Sequence, residues 1–323
     1  MPSLSPGSRR RADARRPALF WAAVLVALAV GLALGGGVLA RYTGDGGVTR
    51  DLRAQVADLK ADNQDLTARA DAGEGFADTV AGRLFADGLS DSPVVVIAAP
   101  GADPADVSAI TTYVERSGGT VTGTLTLTPT LYADGQAARL GGIVDQSVPA
   151  GVTLDPTVAD PAARAGDLLG AILLSRGPTS DPAPAAPSGP DRANALAALR
   201  DGGFVTFDGG DPAPARVAVV VTGASVATSA AGQGQAVGRL AAALSKHGQG
   251  AVLAGRTGSA AGAGPVVVVR HDDTLHAKLS TVDDVGTAVG RVTAVLALGE
   301  AAHGRFGAYG TGPTASAVAP GVG

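Results

Sequence analysis

The chain has 323 residues, enough for a membrane segment plus one or two globular domains. It is 46% hydrophobic but only 3% aromatic, so Ala, Val and Leu must build the core, while the absence of Cys excludes disulfides, thiolate metal sites, iron–sulfur clusters and cysteine nucleophiles. The net charge of −4 hides an asymmetry: Arg9, Arg10, Arg11, Arg15 and Arg16 stand against Asp13 alone, and the acidic remainder argues against a nucleic-acid binder.

Residues 1–17 read as a basic cytoplasmic segment. From 18 to 40 the sequence ALFWAAVLVALAVGLALGGGVLA carries no charged residue. At about 1.5 Å per residue it is long enough for the roughly 30 Å of bilayer hydrocarbon. Phe20 and Trp21 sit where an interfacial aromatic anchor belongs, and the preceding arginines place the N-terminus in the cytoplasm and the body outside it. The rival reading is a signal peptide cleaved after Val38-Leu39-Ala40, although an h-region usually spans only about 7–15 residues. Gly31 and Gly35 form a GxxxG spacing that permits close helix packing.

Residues 48–72 change to a period of 3.5. Leu52, Leu59 and Leu66 fall at heptad position d, with Val56, Asn63 and Ala70 at a. Leu at d with a β-branched residue and one Asn at a predicts a parallel two-stranded coiled coil, hence a homodimer. The alternative is a single amphipathic helix packed on its own domain.

Residues 90–309 alternate strand-like and helical patterns. The predicted strands are Val94–Ala98, Thr120–Leu127, Phe204–Phe207, Val217–Thr222, Ala251–Ala254, Val266–Arg270 and part of Val292–Leu298 if that stretch is not helical. Unbroken Val runs fit strands buried on both faces. The predicted helices are Ala105–Arg116, Asp167–Leu174, Arg192–Asp201, Gln235–Lys246 and Gly286–Leu298, the last with capping chemistry from Ser280-Thr281-Val282-Asp283. The fold class is therefore α/β: a transmembrane helix and coiled-coil neck, then a mostly parallel sheet flanked by helices. The five prolines of 177–190 predict an exposed loop, and the Gly- and Pro-rich 310–323 a disordered tail.

No reaction is written in the residues, and the chain reads as a non-enzyme. Gly232, Gly234 and Gly238 loosely resemble a dinucleotide loop, but the spacing is one residue too long and the preceding strand ends ten residues earlier. Gly255 to Gly262 lacks the P-loop lysine. The densest set of metal-capable donors is His271, Asp272, Asp273 and His276, whose spacing puts the two imidazoles on different faces of any regular element. The bland alternative is four solvent-facing polar residues after a strand. Met1 is the only Met, so a copper contact in the body has His and carboxylate donors, which suit Cu(II).

Six stretches resemble one family: AGDLLGAILLSRG (165–177), LAALRDGGFVTFD (196–208), VAVVVTGASVATSAAGQGQAVGRLAAALS (217–245), VLAGRTGSAA (252–261), STVDDVGTAVGRVTAVLALG (280–299) and FGAYGTGPTAS (306–316). With the anchor and neck, the chain is similar to the actinobacterial copper transport protein B (MctB) family over nearly its whole length. That resemblance implies an envelope protein of copper homeostasis, contributing to copper efflux and low intracellular copper, with a pore-forming role at the outer membrane proposed for members. It brings no resident cofactor, copper being the transported species, and no assigned ligand residues. The residues add that one apolar helix does not enclose a channel and that the Val runs lack the alternation of barrel strands. The alternatives are an envelope scaffold or interaction module without transport activity, and a small-ligand enzyme built on the sheet.

Overall fold

A computed structural model describes residues 46–85, 88–176, 187–207, 209–227 and 230–321. The expected cytoplasmic segment, the 18–40 anchor and most of the 177–190 loop lie outside them. Among the described residues no helix is long and apolar enough to cross a membrane. The chain divides into two units after Arg69.

Helix α1 runs Gly46–Phe85 and contains the whole 48–72 heptad segment. Its a and d residues Leu52, Val56, Leu59 and Leu66 are exposed. An Asp65–Arg69 ion pair at 2.7 Å supports the helix across one turn, as the i, i+4 spacing allows.

The second unit is built on a seven-stranded sheet ordered β3-β2-β1-β4-β5-β6-β7. The strands are β1 (Val94–Ala98), β2 (Val121–Leu127), β3 (Val205–Thr206), β4 (Val217–Thr222), β5 (Gly250–Gly255), β6 (Leu279–Val282) and β7 (Ala308–Tyr309). All neighbours pair in parallel except β3, which runs antiparallel to β2. The helices are α2 (Pro104–Arg116), α3 (Ala137–Gln146), α4 (Pro161–Leu173), α5 (Gly189–Asp201), α6 (Ala231–Ser245), α7 (Pro265–Arg270) and α8 (Ala288–Ala302).

The Val runs explain the layering. Every residue of β1, β4 and β5 is buried. Successive side chains point to opposite faces. Val95, Ile97, Ala218, Val220 and Leu253 join one core with residues of α3 to α7. Val94, Val96, Val219, Val221 and Val252 join the other, with α2, α8 and Ala81 and Phe85 at the end of α1. The sheet is thus open, with helices on both faces and β3 and β7 as its edges. Helix starts are marked locally: Asp103 and Asp160 cap α2 and α4, each followed by a proline whose missing N–H is no loss in the first turn.

Three expectations need correction. Val266–Arg270 is not a strand but the short helix α7, with Pro265 in its first turn. Burial at i, i+3 by Val266 and Val269 outweighs the strand preference of four valines. The strand beside β5 is instead Leu279–Val282, so Ser280-Thr281-Val282 is fully buried sheet rather than helix-capping chemistry. Val292–Leu298 is helical, within α8, in agreement with the expected Gly286–Leu298 helix. Finally, 310–317 of the expected disordered tail folds back on β7: the Gly310 N–H donates to the Ala317 carbonyl at 3.0 Å, and the Ser316 N–H to the Ala308 carbonyl at 2.7 Å. Helix α3 was not foreseen, and α4 and α5 begin earlier than the sequence pattern suggested.

Candidate functional site

In open α/β sheets the carboxyl ends of the strands form the usual ligand crevice, centred where the strand order reverses. Here that point lies between β1 and β4. Asp106, in the first turn of α2 just after β1, is fully buried. It accepts from Arg256 Nε at 2.5 Å and from an Arg291 terminal nitrogen at 3.1 Å. Arg256 also reaches Asp103 at 2.7 Å. The bond to Asp106 holds the Arg256 guanidinium above its ordinary pKa. Two carboxylates and two guanidinium groups, from α2, the β5 end and α8, therefore neutralise one another where a bound anion would otherwise sit.

A second cluster follows β6. Arg270 and Asp283 pair at 2.7 Å, both side chains only 2% exposed. The other Arg270 donors go to Thr281 Oγ1 (2.9 Å), the Tyr309 carbonyl (2.7 Å) and the Pro313 carbonyl (3.1 Å). Asp283 Oδ1 accepts the N–H groups of Thr311 and Gly312 at 2.9 and 3.0 Å. This ion pair is what orders the returning tail. Beside it lies a cleft of about 250 Å³ lined by Arg270, His276, Leu279, Thr281, Phe306, Gly307, Ala308 and Thr314.

At the other end of the sheet, His247 Nε2 lies 2.5 Å from Asp167 Oδ1. A carboxylate only accepts, so the imidazole N–H donates. Asp167 Oδ2 also receives the Asp155 N–H at 2.6 Å. The pair ties the chain after α6 to α4.

Residues 12–320 match the family model described as "Copper transport outer membrane protein, MctB". The chain is 38% identical over 312 residues to "Copper transporter MctB" of Mycobacterium tuberculosis (strain ATCC 25618 / H37Rv), covering 94% of this chain and 98% of that protein. Identity and coverage are the same for the protein of that name from Mycobacterium leprae (strain TN). The chain belongs to the MctB family. That family is one of copper transport proteins rather than of enzymes.

In this MctB-family chain the sequence-predicted donors do not converge. Among the described residues no group of three or more His, Asp or Glu is placed to hold a metal ion. His271, Asp272, Asp273 and His276 are all exposed in the turn-rich 271–278 segment, as the bland reading had it. Asp272 is engaged locally: its Oδ1 accepts from the Thr274 N–H and hydroxyl, which lowers its pKa. Only His276 of the four lines the cleft. The glycines of the supposed dinucleotide loop lie inside α6. A Cβ on Gly234 would come within 1.9 Å of the Ala263 carbonyl, so that glycine serves close packing rather than phosphate binding.

Sequence reasoning missed Arg270, Asp283 and Asp284. The signal available was an Asp-Asp pair directly after the Leu279-Ser-Thr-Val282 stretch, where an uncompensated carboxylate is costly once that stretch is buried. Asp283 has its partners, but Asp284, 4% exposed, has an Oδ1 with no hydrogen-bond partner. Burial first, and the Asp283 charge second, push its pKa up to about 6. A raised folded pKa means that ionising Asp284 opposes folding. The penalty is absent below about pH 4, grows as pH rises, and is complete above the folded value, at roughly 3 kcal/mol for a shift of two units. Asp284→Asn should therefore stabilise the domain by about 3 kcal/mol at pH 7.5 and by only about 1 kcal/mol at pH 4.5. Urea midpoints of both proteins at the two pH values check this; a gain independent of pH would disprove the buried-carboxylate account.

Proposed function

We propose that this chain is a membrane-anchored envelope protein of copper homeostasis, contributing to copper transport or efflux and so to low intracellular copper. The observation that carries the reading is the near full-length match to proteins named as copper transporters. The uncharged 18–40 stretch supplies the anchor, with the basic N-terminus in the cytoplasm and the α/β domain outside it. The heptad segment of α1 joins two chains into a homodimer.

A second reading is an envelope scaffold or interaction module without transport activity. The ion pairs at the carboxyl end of the sheet favour it, because Asp103, Asp106, Arg256 and Arg291 are engaged with one another rather than free for a ligand. Cellular copper separates the two. Cells lacking the chain should accumulate copper and become copper-sensitive, and the full-length chain should restore both. Unchanged copper content in the deleted cells would reject the transport reading and leave the scaffold.

A further inference from the structure

We infer that α1 is one half of a parallel, in-register coiled coil whose partner is a second copy of this chain, with the two Asn63 side chains paired at its centre. This deepens the homodimer reading above by fixing orientation and register.

Eight large hydrophobic residues are exposed among the described residues, and four of them, Leu52, Val56, Leu59 and Leu66, fall within 52–66 of one helix. They are 53–62% exposed. Burying each is worth about 1.5–3 kcal/mol, so a helix carrying this stripe gains far more from a matching surface than from water. The stripe is narrow, a and d positions only, and its outer f positions are Ala54, Ala61 and Ala68. A helix lying on a lipid surface needs a broad apolar face; a two-position stripe fits a coiled-coil seam.

Charge is compatible with the parallel orientation, and Asn63 selects it, because only in a parallel pair does one a position face the other. In a parallel pair each g residue meets the e residue five positions on in the other chain. That sets Gln55 beside Lys60, Asp62 beside Thr67 and Arg69 beside Glu74, with no like-charge contact. In an antiparallel pair e meets e and g meets g, and the register that places Asn63 opposite Leu59 sets Lys60 against Lys60 and Asp62 against Asp62. Asn63 adds register. At an a position its amide is matched only by the Asn of an aligned copy, and a slip of one heptad leaves it facing Val56 or Ala70.

The absence of native Cys makes the test direct. Single substitutions Leu52→Cys, Leu59→Cys and Leu66→Cys at d, and Ala54→Cys, Ala61→Cys and Ala68→Cys at f, are introduced into the full chain in its membrane. Mild oxidation should convert each d variant to a covalent homodimer at least ~10-fold more efficiently than any f variant, since a disulfide needs Cβ atoms about 4 Å apart. Adding Asn63→Leu should preserve the d cross-links while admitting out-of-register Leu59→Cys to Leu66→Cys products in mixed populations. Equal yields at d and f, no homodimer, cross-links only between Leu52→Cys and Leu66→Cys chains, or adducts with a different protein would each overturn the inference. Cellular copper is measured on the same variants. Complementation without cross-linking rejects the dimer and leaves the transport reading standing; cross-linking without complementation does the reverse.

Discussion

Replacing Arg270 with methionine should destabilise the α/β unit by about 3–5 kcal/mol, the usual cost of removing one partner from a buried ion pair. The substitution keeps apolar volume but leaves Asp283 charged and 2% exposed. It also strips donors from Thr281 Oγ1 and from the Tyr309 and Pro313 carbonyls. Arg270→Lys should recover only part of the loss, because a single ammonium does not reproduce the planar fork that reaches β6 and the tail together. Combining Arg270→Met with Asp283→Asn should recover more, since the charge that Arg270 had paired is then removed as well. Urea denaturation gives the magnitudes, and limited proteolysis near 310–317 reports whether the tail has been released. A loss below about 1 kcal/mol for Arg270→Met would show that the pair is not the hub described here.

Adding one methyl group at Gly166 should cost about 3 kcal/mol, at the upper end for overpacking a rigid interface. A Cβ there would lie 2.2 Å from the Leu240 carbonyl oxygen and 2.8 Å from the Leu240 Cα. Both obstacles are backbone, so α4 and α6 must separate along their contact rather than let a side chain swing aside. Gly170 sits one turn on against Leu244 and His247, and the same shift would strain the His247–Asp167 bond. Gly141→Ala in α3 is the control. Nothing lies within 4 Å of its Cβ position, so the better helix propensity of Ala should leave stability unchanged or raise it by about 0.5–1 kcal/mol. Midpoints of thermal or urea unfolding distinguish the two; comparable effects at both glycines would discard the close-packing explanation.

The contrast between these glycines shows where the sequence stops being informative. Nothing in the chain separates Gly141 from Gly166, and both fall inside helices of the structure. Only the neighbouring helix makes one of them irreplaceable. The same holds for the candidate site. His271, Asp272, Asp273 and His276 drew notice because they are close in sequence. The groups that the fold does bring together are distant: Arg256 and Arg291 reach Asp106 from 150 and 185 residues away. Arg270 holds Tyr309 and Pro313 across 39 and 43 residues.

By itself the sequence determined the buried parallel strands, the helical neck with its 3.5-residue period, the family and the exclusion of sulfur ligands. Each of these is carried by residue type or by a period within one element, so no partner is needed to see it. Tertiary structure alone decided that Val266–Arg270 coils while Leu279–Val282 extends, that 310–317 is bound, and that the carboxyl-end charges cancel. Four valines in a row report that a segment packs against the core, but they do so as a helix too, here with Val266 and Val269 buried. The choice depends on which slot in the sheet remains open, and on which buried charge must find its partner, and both are set by the rest of the fold.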